Sequence, residues 1–138
     1  MKPTVGDTLT PFRIESVSPD AMKDWAKFLH DPNPIHLDVE VVKAKGLGDK
    51  RINQGPANVA YIMNMLMNAF PGGQIVAMES RFVDNVWEDD TVETLGKITD
   101  VEDTGDYWRV TCETGLKAEG RDFVITGKAV VQAPKNGN

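Results

Sequence analysis

The segment Asp31-Pro32-Asn33-Pro34-Ile35-His36 sets a carboxylate and an imidazole in a non-helical loop stiffened by two prolines. Acid/base chemistry on a water molecule needs such a pair, held rigidly and within reach of one water. Histidine titrates near neutrality. Aspartate can accept a hydrogen bond from the water or take its proton. The same residues also read as ordinary structure, with Asp31 ending a helix, Asn33 making an Asx-turn and His36 an incidental loop residue. Residue types and spacing leave both readings open.

A second feature lies further on, at Gln54-Gly55-Pro56. Proline suits the first helical position, so a helix is expected to start here. Helix starts carry unpaired N–H groups and a partial positive charge. Gly55 lets a ligand approach the backbone closely. A thioester carbonyl directed at this point would have its developing enolate oxygen stabilised. An ordinary Gly-Pro helix start explains the same residues.

The elements that must position these groups follow from the punctuation of the chain. A short first strand is expected over residues 9–17. Ser18 caps a helix that starts at Pro19 and runs to about Leu29, with Met22, Trp25, Ala26 and Leu29 on one face. The prolines after Asp31 and Asn33 stop it. Asp38 caps a short helix that ends by Gly46. Residues 57–70 are apolar on nearly every side and carry no charge, which predicts a buried helix. At about 21 Å it is too short to cross a bilayer. Pro71-Gly72-Gly73 ends it. The remainder alternates as four strands, over 74–84, 91–101, 106–116 and 121–133, with turns at Thr104-Gly105 and Glu119-Gly120. Short links make these strands expected antiparallel neighbours.

This order predicts an α+β fold, a long antiparallel sheet of about five strands curled around one buried helix: the hotdog arrangement. Residues 1–133 form the single domain, and residues 134–138 are expected to be a loose tail.

Composition narrows the function classes. The 138 residues carry a net charge of −6, which argues against nucleic-acid binding. With a single cysteine, Cys112, no internal disulfide forms, and its alternating surroundings make it a buried apolar residue. Two histidines, His30 and His36, offer no metal-site spacing. His30, at a helix end, reads as exposed and not catalytic. The N-terminus lacks the apolar core of a signal peptide, so no membrane and a cytoplasmic location are expected.

The pattern Asp-x-Asn-Pro-x-His, followed by a glycine opening an apolar helix, resembles the MaoC-like hydratase family, in particular the single-domain (R)-specific enoyl-CoA hydratases. The resemblance extends over Val5-Gly6-Asp7, Ser80-Arg81-Phe82 and the closing Thr126-Gly127-Lys128-Ala129-Val130-Val131. It implies a hotdog fold and a hydro-lyase of fatty-acid metabolism, working on an acyl-CoA or acyl-carrier thioester without metal or redox cofactor. Asp31 and His36 become the catalytic dyad that shares the nucleophilic water. The Gly55 N–H becomes the group that polarises the thioester carbonyl, and Asn33 the support of the loop. A dimer with sites near the subunit interface is implied as well.

The chain departs from the family pattern in three places. Gln54 stands where histidine is common. Asn85-Val86-Trp87-Glu88-Asp89-Asp90 replaces a Pro-x-x-x-Gly-Asp segment. Met63 falls near a small polar residue of some relatives. Met63, Met65 and Met67 could line an acyl pocket or fill core. Lys43, Lys45, Lys50 and Arg51, or Arg81 and Arg121, could meet the phosphates of coenzyme A or be solvated.

Two other readings stay in view. A hotdog thioesterase would need a carboxylate near the buried helix, and residues 57–70 contain none. A hotdog subunit could instead pair with a second hotdog chain and act on a bulky acyl-CoA, such as one with a steroid side chain.

Overall fold

The computed structural model describes residues 2–136. In chain order the elements are strand β1 (Arg13–Ile14), helix α1 (Pro19–Leu29), a 3-10 turn (Pro34–His36), helix α2 (Val39–Ala44), helix α3 (Gly55–Ala69) and strands β2 (Gln74–Phe82), β3 (Val92–Asp103), β4 (Tyr107–Ala118) and β5 (Phe123–Pro134). The helix starts obey the capping residues. Ser18 Oγ accepts from the N–H groups of Asp20 and Ala21, and Asp38 Oδ1 accepts from Glu40.

One antiparallel sheet runs in the order β1-β3-β4-β5-β2. Its inner face holds Val92, Ile98, Val110, Cys112, Leu116, Ile125, Ala129 and Val131, packed on Ile62, Met65 and Leu66 of α3. Gly96 is the point of closest approach: a Cβ there would sit 2.8 Å from Met65 Cε. The sheet therefore curls around α3, as the α+β expectation required.

Four expectations need correction. β2 and β3 are not neighbours. β2 pairs with β5 at the far edge, and residues 83–91 cross the end of the sheet. That link is tied down by Val83 N–H to Val124 O and Asp89 N–H to Val17 O, so it is a crossover, not a hairpin. The helix over 57–70 is not buried all round. One sheet covers one side, which leaves Met63 42% exposed and Asn64 and Asn68 facing outward. The first strand shrinks to Arg13–Ile14 with an isolated bridge at Thr8–Lys97, because Pro11 has no N–H for the ladder and the chain bends at Glu15–Ser16. Pro134 and Lys135, expected in the loose tail, are held: β5 runs through Pro134, and Lys135 pairs with Asp103 and covers the Trp108 ring. Gly137 and Asn138 lie outside the described residues.

Candidate active site

Asp31 follows directly on the end of α1. His30 takes the left-handed conformation (φ 51°) that closes the helix, and Asp31 N–H bonds back to Ala26 O at 3.0 Å. Asp31 Oδ1 accepts the N–H of Asn33, and Asn33 Oδ1 accepts the N–H of Ile35. Asn33 therefore supports the loop, with an exposed side chain. This ladder of side-chain-to-backbone bonds winds the Pro34–His36 turn and directs His36 inward.

His36 is 7% exposed. Its Nδ1 lies 2.6 Å from the carbonyl of Ile52. A carbonyl can only accept, so Nδ1 carries the proton and Nε2 is the basic nitrogen of the neutral ring. Nε2 faces Asp31 Oδ2 at 3.4 Å, and the Asp31 side chain is 35% exposed. A carboxylate and a neutral Nε2 are both acceptors and cannot bond each other directly. A water that donates one hydrogen to each resolves the conflict, and so does a proton held between them. The arrangement can therefore accommodate either a water or a shared proton between the two groups.

Residues 51–54 form a strap behind this pair, and each is bound to a different part of the fold. Arg51 Nε donates to Leu37 O at 3.0 Å and its Nη1 to Glu88 Oε2 at 2.9 Å. Ile52 holds His36 and bridges Trp87. Asn53, buried, donates to Asn58 Oδ1 at 2.7 Å and to Tyr61 Oη at 3.2 Å. Burial raises the Tyr61 phenol above its usual range, against the opposing Asn53 hydrogen bond. Gln54 donates to Met22 O on α1 at 2.7 Å.

The strap ends at Gly55, the first residue of α3. No side chain caps this helix start. Pro56 has no N–H, and the amides of Ala57 and Asn58 turn back to Gln54 O. Among the described residues the Gly55 N–H has no hydrogen-bond acceptor, so it is the donor left for a ligand. A larger residue at this position would press on its surroundings. A Cβ at residue 55 would sit 3.3 Å from two atoms of the Phe82 ring, itself 53% exposed at the end of β2.

The other candidates fare differently. Gln54 is wholly buried and turned to α1, not to an open site. Arg51 is committed to Glu88 and Leu37, and Arg121 to Asp84, Asp90 and the Asn85 carbonyl, which removes both from easy contact with phosphates. Lys43 lies 3.4 Å from Glu40, while Lys45, Lys50 and Arg81 are exposed. Of the methionines, Met65 is core, Met67 packs against the core, and Met63 faces out. Ile52, Asn53 and Phe82 enter the site only through tertiary contacts. The sequence carries no local signal for the first two, and for Phe82 only its place in the quoted strand.

The model of the MaoC-like domain matches residues 2–119 of the chain. The chain belongs to the MaoC-like dehydratase family. This makes it a hydro-lyase of the hydratase and dehydratase class. A curated relative, a mitochondrial 3-hydroxyacyl-[acyl-carrier-protein] dehydratase of Arabidopsis thaliana, is 27% identical over 94% of this chain and 77% of its own length. An (R)-hydratase from A. caviae involved in PHA biosynthesis has the same fold, with TM-score 0.86, 20% identity, and coverage of 96% of this chain and 98% of that one. So does a chain of the ChsH1–ChsH2 complex from Mycobacterium tuberculosis, with TM-score 0.83, 16% identity, and coverage of 96% and 99%. Among the described residues no helix is long and apolar enough to cross a membrane.

Proposed function

We propose that this chain adds water to a trans-2-enoyl thioester to give the (R)-3-hydroxyacyl thioester, or runs the same reaction in reverse. The observation that carries this reading is the His36–Asp31 pair, with Nε2 opposite a carboxylate and Nδ1 pinned to Ile52 O. The dyad takes a proton from the bound water as its oxygen bonds Cβ of the enoyl group. The electron pair of the double bond moves toward the carbonyl, and the enolate oxygen is stabilised by the Gly55 N–H. A proton delivered to Cα by the dyad completes the addition. The steps are acid/base throughout and call on no cofactor, and both directions share one transition state. Gly55 and the dyad meet the substrate. Met63 and Phe82 border the acyl side, and exposed Lys50 is a candidate for the carrier's phosphates.

The functional unit in this reading is a homodimer. β2 pairs with β5 on one edge only; Val76, Phe82 and Val83 are exposed on or beside that strand, and Met63 is exposed on α3. Pairing with a second hotdog chain, on a bulkier acyl-CoA, is the alternative assembly. A thioesterase is disfavoured because Gly55–Ala69 holds no carboxylate to activate water at the carbonyl carbon. A cytoplasmic location is part of the reading, and the free thiol of Cys112 suits a reducing compartment.

The test is loss of enoyl absorbance with crotonyl-CoA and a longer trans-2-enoyl-CoA, using the wild type beside Asp31→Asn and His36→Ala. The expected result is wild-type hydration with a fall of about a hundredfold or more in each variant. Activity that survives both substitutions overturns the mechanism.

A further inference from the structure

Gln54 makes no contact that the proposed chemistry uses, yet it is one of the few polar side chains wholly removed from solvent. Its Nε2 donates to the carbonyl of Met22 at 2.7 Å, and since that carbonyl can only accept, the amide has one possible orientation. Among the described residues its Oε1 is then buried with no hydrogen-bond donor from the protein. An amide with one end unpaired by the protein is a cost to folding, because the oxygen leaves bulk water without a protein donor in return. An apolar side chain of the same volume would fill the place at lower cost. Fold stability alone therefore does not explain a glutamine here.

Position explains it. Met22 lies on α1, one turn before Ala26, and the Ala26 carbonyl holds the backbone of Asp31 at 3.0 Å. Gln54 is covalently joined to Gly55. The Nε2–Met22 bond is thus a cross-brace between the helix that carries the dyad carboxylate and the residue that presents the free N–H. His36 is braced from the same strap through Ile52 O. The Ala57 and Asn58 amides on the Gln54 carbonyl and the Asn53 contacts also hold the strap's end, but among the described residues the Nε2–Met22 bond is its one hydrogen bond to α1.

We infer that Gln54 is a positioning residue that fixes the Gly55 N–H relative to Asp31, at a cost in stability. This rests on the hydratase reading of the site. It works through the geometry of the donor, which must match the enolate oxygen closely to lower the barrier.

The experiment compares wild type with Gln54→Met, which keeps volume and removes both amide ends, and with Gln54→His, which restores an N–H donor. For each, kcat and KM are measured with crotonyl-CoA, together with the melting midpoint and the backbone order parameter of the Gly55 amide in the substrate-free protein. The expected result for Gln54→Met is a melting midpoint equal to or above wild type. Its kcat should fall about tenfold or more, with KM changed less than about twofold. The Gly55 order parameter should drop from the rigid range of about 0.85. Gln54→His recovers most of kcat. Unchanged kcat and unchanged Gly55 order overturn the inference. So does a loss of kcat that tracks a loss of stability and is not rescued by histidine. If the wild type hydrates no enoyl thioester, the hydratase reading fails separately, and the Gly55 order parameter alone decides whether Gln54 positions it. Should Gln54→Met not fold, Gln54→Asn, too short to reach Met22, takes its place with the same two outcomes.

Discussion

His36 Nε2 and Asp31 Oδ2 face each other at 3.4 Å, and no hydrogen bond can join them while the ring is neutral and the carboxylate ionised. In the proposed mechanism the two acceptors act on one water as a single unit. Their substitutions are therefore expected to be non-additive. The double variant Asp31→Asn/His36→Ala should lose no more activity than the weaker single variant, within about threefold, because each single change already destroys the unit. Steady-state rates of the three variants check this. Losses that multiply would show two independent roles.

Arg51 and Lys50 are adjacent basic residues with opposite fates. Arg51 is bound to Glu88, whose side chain is only 12% exposed, and to the Leu37 carbonyl. Arg51→Ala strands that carboxylate and is expected to cost about 2–3 kcal/mol. Lys50→Ala should leave stability within about 0.5 kcal/mol. Urea unfolding of the two variants measures the difference. If Lys50 meets a phosphate, its effect appears in KM for the CoA thioester and not in unfolding.

How much of this was legible in the sequence depends on the range of the interaction. The caps at Ser18 and Asp38, the Asx-turn at Asn33 and the glycine of the helix start are local, and each is written in a few consecutive residues. The closeness of Asp31 and His36 was legible because they share one loop. The brace from Gln54 to Met22, the Ile52 carbonyl behind His36 and the Phe82 ring over Gly55 join residues far apart in the chain. Only the tertiary packing of helices, strap and sheet brings them together, and short-range periodicity carries no trace of it. The same limit hid the β2–β5 pairing. A link of that length permits a hairpin or a crossover, and Val83, Val86 and Asp89 decide between them through distant partners.

Cys112 sits wholly inside the sheet, and burial pushes its thiol from 9.0 up to about 11. The folded state therefore favours the protonated thiol. Its contribution to stability is present below pH 9 and is lost as the pH rises from about 9 through 11, since the unfolded chain then ionises first. Burial of the Tyr61 phenol acts in the same direction on the alkaline side. In the native protein at pH 8 the thiol should resist an aromatic disulfide reagent for hours, and it should react within minutes in denaturant. Rapid labelling of the native protein would contradict the burial.

Asp89 occupies the position that is glycine in the Pro-x-x-x-Gly-Asp pattern, and its φ of 67° is left-handed. A Cβ is strained in that region, and aspartate tolerates it better than most residues without escaping the cost. Its backbone N–H bond to Val17 O is independent of the side chain, and its contact with Ser16 Oγ is long, at 3.5 Å, and exposed. Asp89→Gly therefore relieves strain and loses little. The greater freedom of glycine in the unfolded chain offsets part of the gain, which leaves an expected stabilisation of about 0.5 kcal/mol. Asp89→Val, β-branched at the same φ, should destabilise by about 1–2 kcal/mol. Thermal unfolding of both variants at one pH measures the pair, and a less stable glycine variant would mean that the Asp89 carboxylate contributes more than its single long contact suggests.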